Sequence, residues 1–572
     1  MSLSFLRLLC CPFCGGNLNS SETDGIVNEP EYGVLSCHCG RYPIVAGIPI
    51  IKKGIIGATG QEAHEVIKLI EAGRHREALL AVLLPPPPIS VVKAPASVQA
   101  LRGWQEQAET FLTGPGNQIA VCDLVDFYYR QTEVCDFTSV NYFLFRFSQP
   151  RYPLALSLAC LIHQPMKPVL DLACGMGHIT RSLIGRAKDQ PVIGSDRNFF
   201  FIYVAKNWLA SQAKYVCSEA DATLPFQDGA FSSVFCSDAF YVFANKVACI
   251  QELKRLTQPD GIIILSALST LVSTHPSTLP PEGYESLVAD MPHRLVPSSD
   301  ILSRYLQKQG PALTHQAEIG HLAGDSWLSV VASHRPELFR DYGPFEDWPH
   351  ADGTLRLDPL YREEKRDEFG NVHLRRVFPS AWYEQENAEY RFKDYLPETV
   401  CVSETVLHDL AKGKRTPEME TLIGQCVITG LPDRYIPANF SHTEEGVFQT
   451  IEAIGGTFYI EKIKISDLIE ALIPSGHAFI LVDENKWRVG EVIVGRRAIP
   501  FLERDGQYWG LPSDDATAIS ELERLRQSGA TFIVFGYPAL WWLEYYDELA
   551  RHLYSKFRCV LQNERIVVFD LR

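Results

Sequence analysis

Nowhere in this chain do apolar residues run unbroken for the roughly 20 positions that cross a bilayer. A membrane-spanning helix is therefore not expected. The first residues, MSLSFLRLLCCPFCGG, hold one arginine and a short apolar stretch but no small-residue cleavage site ahead of the cysteines. A secretory signal is not expected either. Positive charge is scarce: 53 Lys and Arg stand against 69 Asp and Glu, a net charge of −16. Free nucleic acid is disfavoured as a partner, because phosphate contacts need a basic surface. The deficit is uneven, since residues 150–270 hold 11 basic and 9 acidic side chains and are close to neutral. The 15 cysteines form no disulfide-like framework. Most stand singly in apolar segments, which is the usage of reduced thiols in a cytoplasmic protein.

What the chain does have is a marked segment at Val169–Gly177, VLDLACGMG. A buried strand ends in a turn built on Gly175 and Gly177, and a helical stretch, HITRSLIGRA, follows directly. Strand, glycine turn and helix let backbone approach a nucleotide-type cofactor, because glycine carries no Cβ. Further acidic residues follow at intervals: Asp196 after the strand PVIGS, and Asp221 in SEADATLPF. Strands are expected at FSSVFCSDAF and GIIILSAL, with a helix and turn, IQELKRLTQPDG, between them. A nicotinamide-binding domain would want G-x-G-x-x-G, and the third position here is Thr180.

This series resembles class I S-adenosylmethionine (SAM) methyltransferases over residues 116–335. The resemblance implies a seven-stranded Rossmann-like α/β fold and SAM as cofactor. It implies that Asp196 holds the ribose hydroxyls and that Asp221, with Ala222, holds the adenine. Asp171, Ala173, Gly175, Gly177, Arg197 and Ser237 complete the cofactor-binding residues that it implies. The segment after the fourth strand, CSDAFYVFANK, has neither the (D/N/S)PPY of amino-group methylation nor the Pro-Cys of cytosine C5 enzymes. Asp238 and Tyr241 stand where a methyl acceptor would approach and are the candidate catalytic residues. Asp238 would accept a proton or orient the acceptor, or would cap the next helix. Tyr142, Arg146 and Tyr152, just ahead of the first strand, are candidate pocket residues, and His178 is read as a helix starter. His275 and His293 follow the fifth strand and read as loop histidines.

Residues 1–56 resemble the small zinc ribbons of the Trm112 type, which partner methyltransferases. The resemblance rests on CPFCGG at Cys11–Cys14 and on the second knuckle CHCGRYPIVAGIPII. It implies structural zinc on Cys11, Cys14, Cys37 and Cys39, with Cys10 or His38 as substitutes, because only one residue separates Cys37 from Cys39. Residues 57–115 read as a helical hairpin, broken at Gly73, and a proline-rich linker at Pro85–Pro88. Residues 336–460 read as an irregular α+β connector with a helix near ETVLHDLAKG. Residues 461–572 read as a further α/β module, similar to modules that accompany bacterial glycan and natural-product transferases. Its Trp541 and Trp542 are expected in the core.

The chain as a whole is thus expected to be a multidomain α/β methyltransferase that acts on a small molecule. The acceptor would be a sugar or a biosynthetic intermediate, with O-methylation favoured. The alternatives are a zinc-ribbon RNA methyltransferase and a non-catalytic SAM-binding scaffold. The balance of four basic and four acidic residues in 1–60 speaks against the first. Sequence gives no oligomeric state.

Overall fold

The structure is a computed structural model. It describes residues 5–20, 30–57, 60–84, 108–109, 119–131, 142–162, 167–220, 222–270, 277–344, 353–378, 383–384, 387, 395–436, 469, 472–483, 496–504, 506–536, 539–562 and 566–572. Apart from 126–131, those up to 436 fall in one compact unit and those from 469 onward in another.

The first unit opens with a four-stranded antiparallel ribbon: β1 (Asn19–Ser20), β2 (Gly33–Cys37), β3 (Gly40–Val45) and β4 (Ile48–Pro49). Two short helices follow, Ala63–Glu71 and His75–Leu83, with Gly73 at φ +70° turning the chain between them. The Pro85–Pro88 run lies outside the described residues.

The centre of the unit is a seven-stranded sheet: β5 (Val169–Leu172), β6 (Val192–Asp196), β7 (Lys214–Cys217), β8 (Phe231–Ser237), β9 (Thr257–Ser269), β10 (His293–Pro297) and β11 (Trp327–Ser333). Its order is β10-β11-β9-β8-β5-β6-β7. Strands β5 to β9 run parallel, and β11 is antiparallel to both β9 and β10. All four residues of β5 and the first four of β6 are buried, as befits strands covered on both faces. The chain leaves β5 towards β6 and β7, then returns to place β8 on the opposite side of β5. The crevice beyond the C-terminal ends of β5 and β8 is therefore a topological switch point, the usual ligand site of such sheets.

The ribbon is packed onto this sheet. Ile50 bridges Cys217 in parallel, and the Ile51 N–H donates to the Cys217 carbonyl at 2.9 Å, so the ribbon covers the edge strand β7. Leu9 bridges Phe226, in antiparallel. Leu9, Leu35, Tyr42, Ile44 and Ile51 share one apolar core with Ile193, Val216 and Phe226.

Residues 336–460, expected as an irregular connector, carry regular structure where they are described. Strand β12 (Thr354–Leu357) pairs with β16 (Ile428–Leu431), and β13 (Tyr361–Arg366), β14 (Val372–Arg376) and β15 (Thr399–Val402) form an antiparallel sheet. The expected helix is Glu404–Ala411, with Ser403 accepting from the Val406 N–H at its start.

The second unit holds a five-stranded sheet of β17 (Ala478–Val482), β18 (Arg497–Pro500), β21 (Ala530–Gly536), β22 (Arg558–Gln562) and β23 (Ile566–Asp570), in the order β18-β17-β21-β23-β22. A small hairpin, β19 (Glu503–Arg504) with β20 (Gln507–Tyr508), lies between β18 and the helix Asp515–Gln527. Trp542 is fully buried in this unit's core, and Trp541 packs against it.

Candidate active site

Strand β5 ends at Leu172, and the next five residues hold three left-handed backbones: Ala173 (φ +56°), Gly175 (+52°) and Gly177 (+83°). The chain folds back tightly, and the helix His178–Ala187 starts with its N-terminus at the switch point. A Cβ on Gly177 would lie 2.9 Å from the Ala205 side chain, so this position admits glycine on two counts.

Asp196, at the end of β6, braces the turn. Its Oδ2 accepts from the Gly175 N–H and its Oδ1 from the Asn198 N–H, each at 2.9 Å. Burial pushes its pKa up, against those backbone hydrogen bonds. Asp171 is almost wholly buried and accepts from the Thr180 hydroxyl at 2.6 Å. Burial pushes its carboxyl up to about 7. Thr180, the residue in place of a third glycine, thus ties the helix to the strand through a side-chain hydrogen bond.

Asp171, Ala173, Cys174, Gly175 and Met176 line a small crevice of about 40 Å³, together with Tyr142, Phe143, Arg146, His178 and Ser237. On its β8 side the backbone turns at Asp238, another left-handed residue (φ +57°). Asp238 Oδ2 accepts from Tyr142 Oη (3.0 Å), Arg146 Nη1 (2.9 Å) and Arg151 Nη1 (3.2 Å). Its side chain is only 1% exposed, against 4% for Arg146 and 8% for Arg151. The Arg151 guanidinium stacks on Trp327 at 4.0 Å, and Tyr241 meets the same indole edge-on.

The wall formed by residues 142–148 is held from a distance. Tyr435 donates to the Phe143 carbonyl, Tyr383 to that of Phe145 (3.4 Å) and Tyr395 to that of Ser148. Tyr435 Oη also lies 2.8 Å from His178 Nε2. Burial, with the charge of Arg146, pushes the His178 pKa well below the ordinary range, so the imidazole is neutral. All three tyrosines come from the stretch read as a connector, and nothing local in the sequence announced them. Replacing Tyr435 by phenylalanine is expected to cost about 1–3 kcal/mol, because a buried carbonyl and a ring nitrogen lose their partner. A urea midpoint equal to that of the parent would refute the clasp.

Several expectations change here. Asp238 was a candidate proton acceptor, but the structure gives its Oδ2 to three donors and makes it an anchor for two arginines. It caps no helix, since Asn245 caps the next one. Tyr152 is not a pocket residue: it is buried, its hydroxyl 3.1 Å from Ser182 Oγ. His178 does more than start a helix, because it lines the crevice. Arg197 is exposed, and its carbonyl accepts from Lys52. His293 sits on β10 with Nδ1 at 2.8 Å from the Met291 carbonyl. Ala222 is exposed, while Asp221 and His275 lie outside the described residues.

In the ribbon, a two-residue turn at His38 and Cys39 joins β2 to β3 and brings both knuckle cysteines to one side. Cys11, Cys14, Cys37 and Cys39 converge, their sulfurs all within 4.8 Å of one another. Cys11 Sγ lies 3.4 Å from Cys39 Sγ, and Cys37 Sγ 3.5 Å from Cys39 Sγ. Neither Cys10 nor His38 belongs to the group. The hydrogen bond with Cys11 leads the effects that push the Cys39 thiol up to about 12.

Residues 170–265 match the methyltransferase domain family. Thermus thermophilus demethylmenaquinone methyltransferase is 35% identical over 101 residues, 17% of this chain and 46% of that protein. The Legionella pneumophila ubiquinone/menaquinone biosynthesis C-methyltransferase is 30% identical over 128 residues, 21% of this chain and 49% of that one. The chain spans about half the length of these curated relatives. Among solved structures, the plantazolicin methyltransferase BpumL bound to S-adenosylhomocysteine (SAH) is 13% identical with a TM-score of 0.27, over 38% of this chain and 96% of that one. The crevice thus lies in the segment that matches the methyltransferase domain family, within a parallel-rich, Rossmann-like α/β sheet. No described helix is long and apolar enough to cross a membrane.

Proposed function

We propose that this protein is a SAM-dependent methyltransferase that acts on a small-molecule biosynthetic intermediate, with structural zinc in its ribbon. The observation that carries the reading is the crevice at the switch point, lined by Asp171 and the left-handed turn, with Asp196 bracing that turn through the Gly175 N–H. The site fits the cofactor chemically. Ser237 Oγ and Asp238 Oδ1 are buried without a partner among the described residues, polar atoms that a ligand would satisfy. Bound SAM would supply an activated methyl group for in-line transfer. The protein's part is to hold the acceptor about 3–3.5 Å away, aligned and dry, which alone lowers a barrier by about 7–11 kcal/mol.

In this reading Asp196 takes the ribose diol on the outer lone pairs of a carboxylate already fixed by two amides. Asp171 faces the positive end of the cofactor, and Arg146 and Tyr142 wall the acceptor side. Asp238 Oδ2 is occupied, so the site suits an acceptor that is already ionised or electron-rich better than one whose proton must be removed. That weakens the expectation of O-methylation at a sugar hydroxyl. It agrees with the C-methylation named for the Legionella pneumophila relative.

Calorimetry with SAM and SAH tests the reading, with micromolar binding of both expected. Absence of binding by folded protein would overturn it. Asp196→Ala should weaken SAM at least tenfold, about 1.4 kcal/mol. An unchanged affinity would remove Asp196 from the site. The raised Asp171 carboxyl gives a second signature. A cationic ligand favours the ionised form, which dominates only above about pH 7. Affinity for SAM should therefore be about tenfold weaker at pH 6 than at pH 8. Asp171→Asn should abolish that slope, and a slope that survives the substitution would assign it to another group.

A further inference from the structure

The antiparallel sheet β13-β14-β15 carries a cluster of metal-ligating side chains that methyl transfer does not use. His373 on β14 and Cys401 on β15 are directly paired across the strands, so their side chains share a face. Asp367 stands in the turn between β13 and β14. Its Oδ1 accepts from the Phe369 and Asn371 N–H groups, and its Oδ2 from Asn371 Nδ2, each at 2.9 Å. A carboxylate fixed by three donors is aimed at His373, with Oδ2 at 3.6 Å from Nε2. Cys401 Sγ is 4.0 Å from the same nitrogen. The three ligand atoms lie within 4.8 Å of one another.

These spacings are not those of a hydrogen-bonded triad. An N–H···O bond closes to about 2.7–3.2 Å, and here carboxylate and thiol both converge on one ring nitrogen. They are close to the edges of a metal tetrahedron. With metal–N and metal–O bonds of about 2.0–2.2 Å and a metal–S bond of about 2.3 Å, neighbouring ligands stand about 3.4–3.6 Å apart. The Glu404 carboxylate flanks the turn, within 2.7 Å of where a Cβ on Gly370 would sit, and adds negative charge beside the group.

We propose that Asp367, His373 and Cys401 form a second metal site, one that takes a divalent cation of the zinc class. Thiolate, imidazole and carboxylate together select that class. On binding, the Cys401 thiol proton passes to solvent, Nε2 gives its lone pair to the metal, and Oδ2 completes three protein bonds. The fourth position is left to water or to an exchangeable ligand, unlike the closed four-sulfur group of the ribbon. Cys401 is exposed, so the site loads from solvent.

The test is the zinc content of the intact protein after loading with zinc chloride and gel filtration. Two equivalents per chain are expected. Cys401→Ser and His373→Gln should each remove one and leave the other, with circular dichroism unchanged. If one variant fails to fold, the other decides. The ribbon's equivalent should persist in both variants, which separates the two sites. A single equivalent lost only in Cys401→Ser and His373→Gln would uphold this site and refute the ribbon zinc. A content unaffected by either Cys401→Ser or His373→Gln, or no zinc at all, would overturn it.

Discussion

Asp238→Ala is expected to destabilise the first unit by about 3–5 kcal/mol, as removal of one partner of a buried ion pair does. The substitution leaves Arg146 and Arg151 with no carboxylate at 2.9 and 3.2 Å in a nearly dry setting. Tyr142 loses its acceptor as well. The effect should appear in urea denaturation as a shifted midpoint with an unchanged slope. A purely catalytic aspartate would behave otherwise, with turnover collapsing and the midpoint staying put. That second outcome would restore Asp238 to the proton-acceptor role suggested by its position in the chain. A partial check is the double variant Asp238→Asn with Arg151→Met, which should recover part of the loss because fewer buried charges remain uncompensated.

Removal of zinc from the ribbon should have a larger effect still. Structural zinc contributes apparent binding energies of about 10–16 kcal/mol to small modules, as much as the whole usual net stability of about 5–15 kcal/mol for a domain. Chelation, or Cys11→Ser, is therefore expected to unfold the ribbon strands β1 to β4. The damage should not stop there, because Ile50 and Ile51 cover the β7 edge. With that edge open, unpaired N–H and C=O groups become a template for aggregation. Hydrogen exchange should show protection lost first in β2 and β3 and then in β7. Full protection of β2 and β3 in metal-free protein would refute the zinc reading.

The parts legible in the sequence share a physical reason. Strands β5 and β6 are short, mainly apolar runs bounded by turn residues, and burial on both faces leaves that trace. The glycine turn was legible because only glycine tolerates Gly177's backbone and its contact with Ala205. The cysteine knuckles were legible because metal ligands cluster locally. What stayed hidden is long-range. Tyr383, Tyr395 and Tyr435 reach residues 238, 247 and 292 positions away, and no periodicity records such a partner. Tyr142, Arg146 and Tyr152 looked alike in one aromatic stretch; only the direction of the helix Arg151–Ala159 sends Tyr152 into the core. Asp367, His373 and Cys401 were invisible because strand register decides which side chains share a face, and register is not written in a charged run.

The tyrosine clasp also sets an order of events on the ribosome. The seven-stranded sheet is fully synthesised at Ser333, but the wall beside Phe143 stays unheld until Tyr435 emerges. At about 5–20 residues per second, that interval lasts on the order of 5–20 s. Throughout it the nascent sheet carries an open crevice, with His178 and the Phe143 carbonyl lacking Tyr435. A chain cut at the apparent end of the domain would be fixed in that unfinished state. Competence to bind a cofactor therefore arrives late in synthesis, and a newly made chain gains it only once the distant segment has docked.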